Sequence, residues 1–583
     1  MLVVSLLMLA ASHAGCAWHR GEMLDVSGAL ETGGLSGKLT RRVEPASGRS
    51  IEAQDLGIVV TRSGYDGKLA WSQDMSGGVH DLNSDFARRL AASMAWLDGR
   101  LGCGPSQSDS ITPLRGRTEG KRRYSAWRAA PPGGVPFELW YDAGTGRIDR
   151  AFFQMAESRL IRHFADWRSV GGGRFVPFLQ RDEFPEDEDE IVRRLSTSRV
   201  RKVAAGDFAR PRPPSDAAIL GNSVSTTVPF EDDHRTRIYL AVTLNGKGPF
   251  MFELDNGGHN ILTSETAAAL GLAKTGSFNA TGAGNSVSQS GIARVARVQI
   301  GNAVVTNQPF SVRDFSAASN DRRPNLPRAG ILGLELFERF VIAIDPRGKT
   351  VTLSKFDAID RPADLPISFV FTEDAPLIDG SFNGRRGDFM LDTGNAGPTI
   401  IEDYWAAPLG LTAELNKGVT RGSTKISRGS VGVGPFDLGQ ELVSYYGPAD
   451  RGSEYTRAVA GIYGEPLLSR FKSTYDYSRG EVWLEPLPEA TPLAFDRSGL
   501  SLAKDDGGAL KVASVAPGSA ADQAGIRKDD LIRAIDGIPC EKLSRADAAA
   551  ILRGEPGTSV VFTGTFDGAP GTKRIALREL LNG

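Results

Sequence analysis

The chain has 583 residues, a formal net charge of −2 at pH 7, and 40% hydrophobic beside 24% charged residues. This length exceeds what one hydrophobic core organises, so we expect three or four domains. The near-neutral charge excludes the broad basic field of nucleic-acid-binding proteins, and we expect no nucleic-acid partner. Sixty-eight glycines and 32 prolines favour strands joined by turns over long helices.

The N-terminal residues MLVVSLLMLAASHAGC have the pattern of a secretory signal peptide, which we assign to residues 1–15. The apolar run is too short to anchor the chain across a bilayer, and Ser12-His13-Ala14 offers a cleavage site. Cys16 follows directly and gives a second interpretation, in which this cysteine carries a lipid anchor. Both interpretations predict export to the periplasm or cell envelope, as a secreted protein or as a membrane-anchored lipoprotein.

Residues 16–208 contain polar strand candidates separated by glycine turns. The segments GYDGKLAWSQD (64–74) and FELWYDAGTGRIDRAFF (137–153) predict paired strands of an incomplete antiparallel barrel. They resemble periplasmic lipoprotein-carrier domains, which implies a β-rich domain that binds or positions another molecule. The proline-rich segment ARPRPPSDAA (209–218) predicts a linker to the next domain.

The three cysteines, Cys16, Cys103 and Cys540, lie far apart in the sequence. Their spacing fits neither a disulfide framework nor a metal site. The sequence also lacks the motifs Gly-x-Ser-x-Gly and His-Glu-x-x-His and a phosphate loop, which argues against serine hydrolases, zinc peptidases and nucleotide enzymes. We therefore expect no metal and no cofactor.

An internal repeat occupies the middle of the chain. Each copy begins at an Asn-Gly pair, Asn245-Gly246 or Asn383-Gly384, which is a strong signal for a type I′ hairpin. Each copy ends in a related segment, AGILGLELFERFVIAIDPRGKTVTL (329–353) or AGIYGEPLLSRFKSTYDYSRGEVWL (460–484). This repetition predicts two pseudo-symmetric β lobes that face each other.

Each copy also carries an aspartate within a hydrophobic run, in FMFELDNGGHNIL (250–262) and in FMLDTGNAGPTII (389–401). Two carboxylates held within hydrogen-bonding distance share one proton, because both cannot ionise cheaply. Such a pair can deprotonate a water as it attacks a peptide carbonyl and can protonate the carbonyl oxygen. Asp255 and Asp392 are therefore the candidate catalytic pair. The alternative for either aspartate alone is a solvated turn residue.

These motifs resemble those of the bacterial retropepsin-like aspartic proteases. Leu391-Asp392-Thr393-Gly394 matches the active-site motif of the family, and Ile331-Leu332-Gly333 and Ile462-Tyr463-Gly464 match its hydrophobic-hydrophobic-Gly element. The resemblance implies hydrolysis of a peptide or protein substrate by Asp255 and Asp392 without a cofactor. It assigns support of the active-site loops to Asn256, Gly257, Thr393 and Gly394, and flaps to Gly282 and Gly284 in TGAGN (281–285) and Gly422 in RGS (421–423).

The first copy departs from the family pattern, because Asn256 stands where the family has Thr or Ser. In the family this hydroxyl helps to lock the two active-site loops together across the lobe interface. An amide can form a hydrogen bond there instead, but with a different geometry. Close after the two aspartates lie His259, Tyr404 and Trp405, which we interpret as packing or surface residues. We interpret Asp345 and Asp476 as hairpin turn residues.

The C-terminal residues 491–583 resemble a PDZ domain of the bacterial type. The segment VAPGSAADQAGIRKDDLIRAIDGIP (515–539) carries most of the likeness, with a Pro-Gly turn, a short Ala-rich helix and an Asp-Gly turn. PDZ domains bind chain ends by adding a strand to a sheet edge. The resemblance assigns peptide binding to Gly499, Leu500, Ser501 and Leu502, and implies a C-terminal peptide ligand. The alternative is a PDZ fold used only as a packing module.

The sequence thus predicts a mainly β protein with a β-rich N-terminal domain, two lobes and a PDZ domain. We place the lobes at residues 219–357 and 358–490. The expected function is a secreted aspartic endopeptidase with PDZ-assisted recruitment of peptides. Two alternatives stay open: a pseudoprotease that binds peptides without cutting them, and an envelope scaffold or carrier whose function lies in the N-terminal domain.

Overall fold

The computed structural model describes residues 18–102, 111–281, 287–315, 328–358, 365–421, 424–447, 456–505 and 507–581. The predicted signal peptide, Cys16, Cys103 and the flap residues Gly282, Gly284 and Gly422 lie outside the described residues. Strands predominate in the described part of the chain, which confirms the predicted mainly β class. No helix in these ranges is long and apolar enough to cross a membrane.

The N-terminal domain is an antiparallel sheet with one long helix. Its elements are β1 (Glu22–Thr32), β2 (Leu35–Glu44), β3 (Arg49–Asp55), β4 (Val60–Tyr65), β5 (Ala70–Gln73), β6 (Val79–Leu82), α1 (Asp85–Asp98), β7 (Ile111–Pro113), β8 (Arg117–Glu119), β9 (Arg122–Ala129), β10 (Phe137–Asp142), β11 (Ile148–Gln154), β12 (Arg159–Gly171), β13 (Arg174–Phe184) and β14 (Asp189–Lys202). The strand order is β6-β5-β4-β3-β2-β1-β14-β13-β12-β11-β10-β9-β7, with β8 beside β9.

Local sequence explains the central elements of this domain. Strand β10 alternates buried and half-buried residues, so Phe137 and Leu139 point to the core. Helix α1 begins where the Ser84 hydroxyl accepts the Ala87 N–H at 3.1 Å, and this cap satisfies an otherwise unpaired backbone donor. Leu97 of the helix packs into the same cluster as Phe137 and Leu139.

The first lobe is built on hairpins. Its elements are β15 (Ala217–Ile219), β16 (Ser225–Asp232), β17 (Ile238–Leu244), β18 (Lys247–Leu254), β19 (Ile261–Leu262), α2 (Ser264–Leu270), β20 (Thr275–Thr281), β21 (Val287–Ile300), β22 (Ala303–Val312), β23 (Arg328–Leu332), α3 (Leu334–Phe337), β24 (Val341–Asp345) and β25 (Thr350–Ser354). Asn245 and Gly246 join β17 to β18 with φ values of 51° and 78°, as a type I′ turn requires.

The second lobe repeats this plan. Its elements are β26 (Ile367–Ser368), β27 (Val370–Thr372), β28 (Ala375–Phe382), β29 (Arg385–Asp392), β30 (Thr399–Glu402), α4 (Asp403–Ala406), α5 (Thr412–Leu415), β31 (Val419–Arg421), β32 (Thr424–Val433), β33 (Phe436–Tyr446), β34 (Gly461–Gly464), α6 (Glu465–Leu468), β35 (Phe471–Asp476) and β36 (Glu481–Pro486). Asn383 and Gly384 turn β28 into β29 with φ values of 46° and 73°.

The two lobes share one pattern of strand pairing. In the first lobe β18 pairs parallel with β23, β23 antiparallel with β19, and β19 parallel with β22. In the second lobe β29, β34, β30 and β33 pair in the same order and directions. The hairpins β24–β25 and β35–β36 then join the lobes, because β24 pairs antiparallel with β35.

The C-terminal domain has its own core. Its elements are β37 (Leu500–Lys504), β38 (Leu510–Val515), α7 (Ala520–Gln523), β39 (Leu531–Ile535), β40 (Ile538–Pro539), a 3₁₀ turn (Cys540–Lys542), α8 (Arg545–Leu552), β41 (Ser559–Phe566) and β42 (Ala569–Ala576). Strand β37 lies at one end of the sheet order β37-β38-β39-β41-β42. Within the described residues its other edge therefore has no strand beside it.

The N-terminal domain is docked on both lobes. The backbone N–H groups of Asn83 and Ser84 donate to the Phe371 carbonyl at 3.1 and 3.0 Å, and the Phe371 N–H donates to Asn83 Oδ1 at 2.7 Å. A turn after β11 reaches further, because the Ala156 carbonyl accepts the Arg457 N–H at 2.8 Å. On the first lobe, the Ser76 carbonyl accepts a hydrogen bond from Arg339 Nη2 at 3.0 Å, so the domain contacts both lobes.

Candidate active site

The two predicted aspartates lie at equivalent ends of matching strands. Asp255 follows β18, and its N–H donates to the Leu332 carbonyl on β23 at 3.0 Å. Asp392 is the last residue of β29 and pairs with Gly464 on β34. In each lobe a parallel strand ending in hydrophobic-hydrophobic-Gly therefore supports the aspartate strand.

Glycines allow the two active-site loops to approach each other closely. A Cβ atom on Gly394 would lie 2.3 Å from Cγ of Asp255, and one on Gly257 would lie 2.6 Å from Cγ of Asp392. Any side chain at either position would therefore collide with the carboxylate of the opposite lobe. The requirement for glycine comes from this contact between loops, and each carboxylate lies against the loop of the other lobe.

Asn256 and Thr393 connect the loops by reciprocal hydrogen bonds. The Asn256 N–H donates to Thr393 Oγ1 at 3.1 Å, and the Thr393 N–H donates to Asn256 Oδ1 at 2.8 Å. Thr393 Oγ1 also donates to the Leu254 carbonyl at 3.0 Å. Asn256 is fully buried and Thr393 is 1% exposed, so these bonds are shielded from water. The amide oxygen of Asn256 thus accepts a backbone N–H of the opposite loop, which is the amide hydrogen bond that the sequence allowed at this position.

The side-chain NH₂ group of Asn256 makes a further hydrogen bond outside the contact between the two loops. Its Nδ2 donates to the Tyr477 hydroxyl at 3.3 Å. Tyr477 packs between Phe337, Phe369 and Phe371, so its ring is fixed. The departure from the family motif is therefore accommodated by a partner from β35–β36 of the second lobe.

The surroundings of Asp255 raise the pKa of its carboxyl group. Burial, and next the charge of Glu253, raise the pKa of Asp255 to about 6, against the Gly257 N–H and a hydrogen bond with Asp392. The Gly257 N–H donates to Asp255 Oδ1 at 2.9 Å, and the Gly394 and Asn395 N–H groups donate to Asp392 Oδ1 at 2.9 and 3.1 Å. The two carboxyl groups therefore titrate as a coupled pair.

A cleft of about 730 Å³ opens above this pair. Besides the two aspartates and the loop glycines, charged residues line it, and sequence reasoning did not find them: Glu157, Glu253, Arg313, Arg328, Glu373 and Asp374. Burial, and next Asp374, raise the pKa of Glu373 to about 7. Glu157 comes from the turn of the N-terminal domain, and no local motif marks it. The only signal for Glu253 was its place two residues before Asp255.

The predicted PDZ residues lie beside a second cavity. Leu500, Ser501 and Leu502 form the start of β37 and line a space of about 270 Å³ together with α8, with Arg237 of the first lobe and with Ala396 and Gly397 of the second lobe. These last three residues also line the active-site cleft. The Gly499 N–H donates to Asp496 Oδ1 at 2.8 Å and the Leu500 N–H to Ser498 Oγ at 3.0 Å.

Other residues interpreted from the sequence are also placed. Asp345 Oδ1 accepts the Gly348 N–H at 2.9 Å, and Asp476 Oδ1 accepts the Ser478 hydroxyl at 2.6 Å, as hairpin turn residues do. Tyr404 is 56% exposed. His259 differs from the expectation of simple packing, because its ring is bonded to Glu335 and Asp374. With Asp74, His259 and Glu335 form a group that could hold a metal ion.

Two family profiles match parts of the chain. The Aspartyl protease family profile matches residues 240–336, and the PDZ domain profile matches residues 511–563. No curated protein shows significant sequence similarity to the chain.

Several solved structures resemble parts of the chain. A retropepsin-like aspartic protease from Rickettsia conorii shares 21% identity over 22% of this chain and 90% of its own, with a TM-score of 0.16. A LolA superfamily protein from Nitrosomonas europaea has 14% sequence identity over 35% of this chain and 97% of its own length, with a TM-score of 0.25. A putative outer membrane lipoprotein-sorting protein domain from Vibrio parahaemolyticus has 9% sequence identity over 35% of this chain and 94% of its own length, with a TM-score of 0.25. The two family matches identify an aspartyl protease segment and a PDZ domain within the chain.

Proposed function

We propose that this protein is an exported aspartic endopeptidase that hydrolyses peptide bonds with a water held between Asp255 and Asp392. The observation that carries the proposal is the reciprocal bonding of Asn256 and Thr393. These bonds fix each loop against the other and hold the two carboxyl groups together without a metal. The 730 Å³ cleft above them supplies space for an extended peptide.

The two carboxyl groups share one proton, so one member of the pair is ionised and the other is protonated. The ionised member removes a proton from water as the water oxygen attacks the scissile carbonyl carbon, and the protonated member gives its proton to the carbonyl oxygen. The diol then collapses: the member that took the proton from water protonates the amide nitrogen, the C–N bond breaks, and the other member recovers a proton from a hydroxyl.

We further propose that the PDZ domain delivers chain ends to this cleft. A peptide would add as a strand at the open edge of β37, beside α8. Arg237, Ala396 and Gly397 line both this groove and the catalytic cleft, so a peptide leaving the groove reaches the active site directly. Arg553, which lines the groove, offers positive charge to a chain-terminal carboxylate.

Cleavage of an unstructured protein between pH 3 and 8 tests the central proposal. We expect native protein to cut it and Asp392→Asn to lose at least about 10³-fold in rate, because acid–base catalysis is removed. Asp345→Asn is the matched control, since this aspartate ends the β24 strand of the same repeat but bonds only within its turn. A folded native protein that cuts at no pH contradicts the proposal.

Substrates that differ only at the chain end test recruitment. We expect a free C-terminal carboxylate to give about tenfold faster cleavage at low substrate concentration than a C-terminal amide, because docking raises local concentration. Ala549→Arg, inside the groove, should remove this preference, whereas Ala550→Arg on the next helix position should keep it. Equal cleavage of both substrates by native protein would mean that the PDZ domain does not recruit.

The second candidate function is a pseudoprotease that binds peptides in the same cleft without cutting them. The difference between the two active-site loops favours this candidate, because the side chain of Asn256 in the first loop also donates a hydrogen bond to Tyr477. Peptide binding without turnover, unchanged in Asp392→Asn, would support this candidate over the enzyme.

A further inference from the structure

We propose that Asp74, His259 and Glu335 bind a divalent transition-metal cation of the Zn²⁺ class where the N-terminal domain meets the first lobe. One donor atom from each residue lies within 4.8 Å of the other two. The Nδ1 atom of His259 and Oε1 of Glu335 are 3.0 Å apart, so a small outward shift of either side chain would place both on one tetrahedral ion with bonds of about 2.1 Å. The proposal does not depend on the proposed catalytic activity.

The sequence positions of the three residues explain why no motif marked them. Asp74 follows β5 in the N-terminal domain, His259 lies in the loop after Asp255, and Glu335 lies in α3, two residues after the Ile-Leu-Gly element. The Asn260 N–H donates to Glu335 Oε2 at 3.0 Å, which orients this carboxylate toward the His259 loop. Domain docking alone brings Asp74 to the other two.

An unpartnered buried oxygen points to a missing ligand. Asp74 is 7% exposed. Its Oδ1 accepts the N–H groups of Ser76 and Gly78 at 2.8 and 2.9 Å, but its Oδ2 is buried and has no hydrogen-bond partner among the described residues. A buried carboxylate oxygen without a donor is costly, and a cation between Asp74, His259 and Glu335 would satisfy it.

The charged groups around the site include more carboxylates than basic groups. The connected carboxylates are Asp74, Asp216, Glu335, Glu338 and Asp374, and the connected basic groups are His80, His259 and Arg339. With all five carboxyl groups ionised and both imidazoles protonated, the negative charges would outnumber the positive ones by two, and a divalent cation would compensate this difference.

The surroundings of His259 fit a metal ligand. Its Nε2 lies 2.9 Å from Asp374 Oδ2, and metal-binding histidines commonly donate their second ring N–H to a carboxylate. One imidazole nitrogen with two carboxylate oxygens suits Zn²⁺ better than Ca²⁺ or Mg²⁺, which prefer oxygen alone. A cavity of about 290 Å³, lined by Asp74, His259 and Asp374, gives an ion access.

Zinc titration of the full-length, tag-free, chelator-stripped protein tests the proposal. We expect one Zn²⁺ per chain, with X-ray absorption showing one imidazole nitrogen and oxygen donors at about 2.0–2.2 Å. Zn²⁺ should also raise the melting temperature, because it binds only the folded chain. Asp74→Asn should bind at least about tenfold more weakly and lose the melting shift.

Asp66→Asn is the matched control. Asp66 lies in a turn of the same domain, where its Oδ1 accepts the Lys68 and Leu69 N–H groups, outside the proposed site. The Asp66→Asn variant should bind Zn²⁺ as tightly as the native protein does. Failure of the folded native protein to bind Zn²⁺ overturns the proposal, and so does equal binding by native protein and Asp74→Asn. Because the first outcome needs no variant, the test holds even if Asp74→Asn does not fold.

Discussion

The two active-site loops occupy equivalent places in matching lobes but make different hydrogen bonds. Thr393 uses one hydroxyl to accept the Asn256 N–H and to donate to the Leu254 carbonyl. Asn256 divides the same tasks between two atoms, so that Oδ1 accepts the Thr393 N–H while Nδ2 donates to Tyr477. The comparison teaches that the hydrogen bond between the loops is kept although the side chain that forms it is not.

The loops also differ in what lies behind them. The loop of the first lobe continues into His259, which contacts Glu335 and Asp374 and adjoins Asp74 of the N-terminal domain. The loop of the second lobe continues into Ala396 and Gly397, which border the PDZ groove. Two copies of one strand plan thus connect the candidate catalytic pair to two different neighbouring domains.

Removing each carboxyl group in turn gives the largest expected effect. Asp255→Asn, Asp392→Asn and the double variant should each lower kcat/KM at least about 10³-fold, because the two groups act as one unit and their losses do not add. Cleavage rates of one unstructured substrate measure this. A single variant that keeps a tenth of native activity would show that the loops do not form a working pair.

The stability of Asp255→Asn should depend on pH. The folded-state pKa of Asp255, about 6, lies above its ordinary value of 3.8, so its favourable contribution is present below pH 4 and is lost as pH rises through 6. Asp255→Asn should therefore be more stable than native protein at pH 7 by up to about 3 kcal/mol. Urea unfolding at pH 4, 6 and 8 measures the difference, and a pH-independent value would contradict it.

Truncating the two linking side chains compares the loops directly. Thr393→Ala leaves the buried Asn256 N–H and Leu254 carbonyl unpaired, and Asn256→Ala leaves the Thr393 N–H unpaired. Each should cost about 1–3 kcal/mol of unfolding free energy, with Thr393→Ala the larger. Thr393→Ser keeps the hydroxyl and serves as the control. Equal stability of Thr393→Ala and native protein would mean that these bonds do not hold the loops.

The contact with Tyr477 should give the smallest effect. Tyr477→Phe keeps the aromatic packing and removes the hydroxyl, at a cost of about 0.5–1.5 kcal/mol. In the Asn256→Thr background the same change should cost almost nothing, because threonine has no amide to donate. A double-mutant cycle from urea unfolding measures this coupling. Additive effects would show that Asn256 does not use Tyr477.

The sequence predicted the local features of the two lobes. Asn245-Gly246 and Asn383-Gly384 form the expected turns because asparagine and glycine tolerate positive φ. Asp255 and Asp392 lie at the expected strand ends because the hydrophobic runs before them form buried strands. The aspartyl protease and PDZ matches confirm the two families that the motifs indicated.

What the sequence could not supply were contacts between residues distant in the chain. The turn carrying Glu157 reaches the cleft only because the N-terminal domain docks on both lobes. The effect of Glu253 on the pKa of Asp255 requires both side chains to be buried together. The proximity of Asp74 to His259 likewise depends on domain packing. These two residues lie too far apart in the sequence for a periodic pattern to indicate that they are neighbours.

The sequence by itself determined the strands, their turns and the two aspartates, since hydrophobic runs and Asn-Gly pairs act over a few residues. Only the tertiary structure decided that Asn256 replaces a hydroxyl, because that depends on where Thr393 and Tyr477 meet it across the lobe interface. The same holds for the glycines: Gly257 and Gly394 are required by the carboxylate of the opposite lobe, which no local rule can identify.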